Sequence, residues 1–104
     1  MARFDVYRNP RPETAREVPF LLDVQSELLD GLDTRVVVPL RAASAVKRPV
    51  GRLNPVFRVD GTMVVMDTPQ LAGIPGAALR HPVTSLSAEA FGIQNALDFL
   101  FAGV

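Results

Sequence analysis

Cysteine is absent from the 104 residues, which excludes a disulfide framework, a zinc ribbon and a thiol nucleophile. Histidine occurs once, as His81, so a multi-histidine metal site is ruled out and most acid–base schemes lose their usual proton carrier. Neither sign of charge is in excess: eleven basic side chains offset eleven acidic ones, which favours neither a nucleic-acid sponge nor an acidic-lipid binder. No apolar run approaches the roughly 18 residues needed to cross a bilayer. Met1-Ala2-Arg3-Phe4-Asp5 carries charge where a signal peptide needs its apolar stretch, so a cytoplasmic, soluble protein is expected. A composition that is 48% hydrophobic and 21% charged is that of a globular chain rather than a disordered one. The length suits one domain, 1–104, that buries roughly 65% of its unfolded surface.

Most of the chain reads as short strands. Phe4-Asp5-Val6-Tyr7 alternates apolar and polar side chains, as a strand with one buried face does. Residues 9–19 carry three prolines and four charges without strand or helix period, so they form a surface loop. A strand resumes over Phe20 to Gln25, and Asp30-Gly31-Leu32-Asp33 supplies turn chemistry. Val36-Val37-Val38 predicts a buried strand ending at or near Pro39 and Leu40. Val56 to Val59 and Thr62 to Met66 flank Asp60-Gly61, and Asp-Gly fits a type I′ turn, so a β-hairpin is expected here. One further short strand fits around Leu71 to Ile74. At the end the period changes to 3.6: Ile93, Ala96, Leu97, Leu100, Phe101 and Val104 form one helical stripe, with Ser87 as N-cap and Glu89 in the first turn. Phe99 lies off that stripe, so apolar side chains wrap the helix end, which predicts burial against a second protomer or a partner. The expected fold is mainly β, a strongly twisted antiparallel sheet or barrel, with a C-terminal α-helix.

Charge is segregated within the neutral total. Asp23, Glu27, Asp30 and Asp33 have no base between them, whereas Arg41, Lys47, Arg48, Arg52 and Arg58 follow with no acid. The acidic set lacks the spacing of a calcium loop and reads as a solvated rim. The basic set lacks interleaved aromatics and suits a solvated loop, a phosphate contact or an acidic peptide. Arg58, Asp60 and His81 are the residue types of a ribonuclease site, although their spacing selects no such geometry.

Phe4-x-Val6-Tyr7, Asp23-Val24-Gln25-Ser26-x-Leu28-Leu29-Asp30, Val38-Pro39-Leu40, Leu53-x-Pro55-Val56 and Asn95-Ala96-Leu97-x-x-Leu100-Phe101-x-Gly103-Val104 together resemble the CcdB family, toxins of type II toxin–antitoxin modules. The collinear match runs from Phe4 to Val104 and lapses mainly around residues 8–19 and 41–52. The resemblance implies an SH3-like barrel of antiparallel strands, a homodimer, a CcdA-like antitoxin and, as target, the gyrase A component of DNA gyrase. It implies no catalysis by the toxin and no cofactor. Target contacts would come from Ser26, Leu28, Leu29 and Asp30 and from Ala102, Gly103 and Val104. The basic residues Arg41, Lys47, Arg48 and Arg52 are expected to meet the antitoxin. The family pattern ends in Trp-Gly-Ile where this chain has Ala102-Gly103-Val104, which predicts weaker gyrase poisoning. Two alternatives are a MazF- or Kid-like endoribonuclease, and a degenerate toxin that still binds antitoxin.

Overall fold

The computed structural model describes residues 2–103. Among these, seven strands precede one α-helix: β1 (Asp5–Arg8), β2 (Phe20–Asp23), β3 (Thr34–Ala42), β4 (Val56–Val59), β5 (Thr62–Met66), β6 (Ala72–Pro75), β7 (Thr84–Ser85) and α1 (Ala90–Ala102). All pairings are antiparallel, in the order β4-β5-β3-β2-β1-β7, with β6 also on β3. The nine-residue β3 organises the sheet. One edge takes β2, Leu22 opposite Val38; the other takes β6 along Thr34–Val37 and then β5 along Leu40–Ala42. Serving three neighbours bends the sheet into a nearly closed, SH3-like barrel.

Pro39 does not end β3, contrary to the expectation from its missing donor. It sits between the stretch paired with β6 and the stretch paired with β5, where the ladder asks nothing of its nitrogen. Its carbonyl still accepts the Asp67 N–H at 2.9 Å. The β4–β5 hairpin turns as the sequence predicts: Asp60 (φ 50°) and Gly61 (φ 78°) both have positive φ, the requirement of a type I′ turn.

Alternation sorts the side chains into two layers. Val6, Leu22, Val38, Leu40, Val59, Val64 and Met66 fill the barrel and are closed over by Ile93, Ala96 and Leu97 of α1. Each large apolar side chain among them contributes about 1.5–3 kcal/mol by leaving water. Tyr7, Val37 and Leu79 pack on the other face, against Leu21 and Ile74.

Three local expectations are corrected. Phe4 lies outside the first strand with φ 75°, held by its N–H to the Asp23 carbonyl (2.7 Å) and by its carbonyl from the Leu86 N–H (2.8 Å). Ser87 is not the helix N-cap: a single 3-10 turn, Ser87–Glu89, intervenes, Glu89 holds the cap position, and no side chain bonds there. Phe101 is 72% exposed rather than buried with the stripe. At 100° per residue it lies about 80° round from Ile93, on the flank of the apolar face.

Candidate functional site

Of the expected acidic rim, Glu27, Asp30 and Asp33 are exposed, whereas Asp23 belongs to a buried charged group beneath the β2–β3 connection. Asp23 is 0% and Arg35 1% exposed. Arg35 Nη2 stands 2.7 Å from Asp23 Oδ2, and its Nε donates to the same oxygen at 2.9 Å. Arg35 Nη1 donates to Asp30 Oδ1 at 3.1 Å. Gln25 ties the surrounding backbone: its Nε2 donates to the Leu29 carbonyl (3.1 Å), its Oε1 accepts the Val36 N–H (2.9 Å), and its own N–H donates to Asp23 Oδ1 (3.0 Å). Burial pushes the Asp23 carboxyl above its ordinary range, and the hydrogen bonds from Arg35 and Gln25 pull the other way. Burial also raises the Tyr7 phenol, helped by the negative charges of Asp5 and Asp23.

This group shapes what faces outward. Ser26 Oγ accepts the Leu28 N–H (3.2 Å) and starts a 3-10 turn over Glu27–Leu29. With the polar side chains Asp23, Gln25 and Asp30 engaged on the Arg35 side, the leucines are left outside. Leu28 is 94% exposed, and Leu29 and Leu32 are exposed as well. Such a short stretch of uncovered leucines is the composition of a protein-binding surface.

The second predicted element lies at the end of α1. Gly103 adopts φ 71°, and its N–H donates to the Phe99 carbonyl at 3.0 Å, a left-handed C-terminal cap. Ala102 and Gly103 are exposed beside Phe101. Val104, the last predicted target contact, lies outside the described residues. Arg3 links the base of the leucine loop to the helix, with Nε to the Val24 carbonyl (3.0 Å) and Nη2 to Gln94 Oε1 (2.6 Å).

The model of the family described as CcdB protein matches residues 3–103. The chain belongs to the CcdB family. It is therefore a toxin-family protein of the toxin–antitoxin type.

In this CcdB-family chain the four predicted basic residues divide. Arg41, Lys47 and Arg48 line one hollow of about 280 Å³ with Asn54, Val65 and Asp67. Arg41 is partly neutralised by Glu17 (3.5 Å) and Asp67 (3.7 Å), whereas Lys47 and Arg48 lie further out along the loop. Arg52 turns away to α1. Arg41 also borders a larger groove, about 620 Å³, whose floor includes Leu21, Val37, Pro39 and Ile74.

The ribonuclease residues do not assemble. Asp60 pairs with Arg8 at 3.2 Å, while Arg58 and His81 line different hollows. What sequence reasoning missed is Arg35. Between Thr34 and the valine run it reads as an ordinary strand charge. Alternation does carry a signal, since a residue two positions before buried Val37 shares its face.

Proposed function

We propose that this CcdB-family toxin acts by binding rather than by catalysis, with the gyrase A component of DNA gyrase as target. Ser26, Leu28, Leu29 and Asp30 form one contact and Ala102, Gly103 and Val104 the other. A two-fold homodimer presents both sets twice, the commonest closed arrangement for a chain with uncovered apolar side chains. The observation that carries the reading is Leu28, 94% exposed on a loop whose base is fixed by a buried ion pair. A rigid loop with apolar tips loses little entropy on docking.

A CcdA-like antitoxin neutralises the toxin by laying an extended, disordered segment over the basic side. Apolar anchors enter the groove beside Arg41, and acidic side chains meet Arg41, Lys47 and Arg48. Segments that fold on binding use such extended surfaces, and exposed rim charges govern their on-rate and salt response.

Ala102 weakens the target contact. In the family pattern a tryptophan stands here, and its stacking on a target arginine is worth about 0.5–2 kcal/mol. Calorimetry of the purified protein with a gyrase A fragment, and a cleavage-complex assay with whole gyrase, test the proposal. Binding and trapping are expected, and Ala102→Trp is expected to tighten binding on the order of tenfold, about 1.4 kcal/mol. RNA cleavage by the purified protein alone, or antitoxin binding with no gyrase binding by either variant, overturns it.

A further inference from the structure

Arg52 stands apart from the rest of the basic segment. Its Nη2 donates to Asn95 Oδ1 at 2.6 Å, and its guanidinium carbon lies 5.1 Å from the centroid of the Phe99 ring. Asn95 and Phe99 are four residues apart, so one side chain grips one face of α1 at two points.

Both ends of this link are anchored. On the loop side, Val50 N–H donates to Asn54 Oδ1 (2.9 Å) and Asn54 N–H to the Val50 carbonyl (2.8 Å), closing a turn that carries Arg52. That turn is fixed to the barrel by Asn54 Nδ2 to the Met66 carbonyl (3.0 Å) and by the buried Thr68 hydroxyl, which donates to the Leu53 carbonyl. On the helix side, Phe99 supplies the carbonyl that accepts the Gly103 N–H, the bond that turns the chain out of α1.

The last turn of α1 has need of such a link. The buried residues of the helix are Ile93, Ala96 and Leu97, all before that turn, and the turn carries no basic residue of its own. A helix C-terminus is the negative end of the macrodipole and is stabilised by a nearby cation. Arg52 brings a cation from a distant part of the chain to the Asn95–Phe99 face that leads into that turn.

We propose that Arg52 is a positioning residue for the Ala102–Gly103 end of α1, a strut from the barrel that sets where this segment points. Its consequence for target binding rests on the function proposed above; its effect on the segment itself does not. The flat guanidinium matters as well as the charge, because a lysine ammonium cannot both stack on Phe99 and reach Asn95 in the same fork geometry.

Amide exchange by NMR, on the full protein without any partner, reads the positioning directly. Arg52→Ala is expected to speed exchange at Gly103 about fivefold while leaving Val64 in the core unchanged. Arg52→Lys should recover part of that protection, and Phe99→Leu added to Arg52→Ala should speed exchange little further. The same Arg52→Ala protein should bind the gyrase A fragment about fivefold more weakly. An unchanged Gly103 rate in Arg52→Ala overturns the proposal. So does a rate that rises equally at Gly103 and Val64, since that is general destabilisation. If Gly103 loosens but the wild-type protein ignores gyrase A, the strut stands and the choice of target falls.

Discussion

The connection from β2 to β3 and the one from β3 to β4 carry opposite charge, and they use it in opposite ways. In the first, Asp23 and Asp30 meet Arg35, while Glu27 and Asp33 stay exposed beside the leucines. In the second, Lys47 and Arg48 stay near the surface while small residues and prolines shape the backbone. Part of the charge at the first loop is a foundation, whereas Lys47 and Arg48 of the second are surface. Counting charges along the sequence cannot tell these apart, because the difference lies in whether an opposite charge waits under the sheet.

The largest effect expected from breaking this contrast comes at the buried pair. Asp23→Asn leaves the Arg35 guanidinium buried without its carboxylate, and losing one partner of a buried pair costs about 3–5 kcal/mol. Replacing both, Asp23→Leu with Arg35→Met, should cost less than Asp23→Asn alone, because no charge is then stranded. Urea unfolding midpoints check the order.

Next in size is the leucine loop. Leu28→Asp should cost about 2 kcal/mol of binding to a gyrase A fragment, the scale of an interface hot spot. Stability should stay within about 0.5 kcal/mol, since the side chain touches little of its own protein. Calorimetry for binding and thermal unfolding for stability separate the two. A loss of stability matching the loss of binding would mean that the loop is only part of the fold.

The smallest effect belongs to the basic side. Replacing Arg41, Lys47 and Arg48 by alanine should weaken antitoxin binding by less than about 1 kcal/mol per exposed charge and flatten its salt dependence. Arg41 should matter least among the three residues of the hollow, because Glu17 and Asp67 already oppose it. Titration at two salt concentrations gives both quantities.

Elements set by local chemistry were legible in the sequence. The Asp60-Gly61 turn, the Val36–Leu40 strand and the helical stripe through Ile93, Ala96 and Leu97 each follow from a pattern within a few residues. The misread positions depend on partners far away. Phe4 takes positive φ because Asp23 and Leu86 hold its backbone from both sides. Asp23 looks like one of four rim carboxylates until Arg35 is folded beneath it. At the candidate site, Leu28 and Leu29 could be placed by resemblance, but the reason they are exposed could not. That reason is the network of Asp23, Gln25 and Arg35, which only the β2–β3 register brings together.

The three-partner strand β3 has a consequence for how the chain is made. Synthesis runs from the N-terminus, and β2 can pair with β3 as soon as both have emerged. The other edge of β3, with its run of valines, waits for β5 and β6, which come later. Until they arrive it is an open strand edge of high β-propensity, the kind of template on which chains join one another. Because β4 and β5 form a hairpin of their own, they can arrive as one unit and cover Leu40–Ala42 in a single step. The Asp60-Gly61 turn thus shortens the time for which Leu40–Ala42 stands open, while the stretch Thr34–Val37 waits for β6.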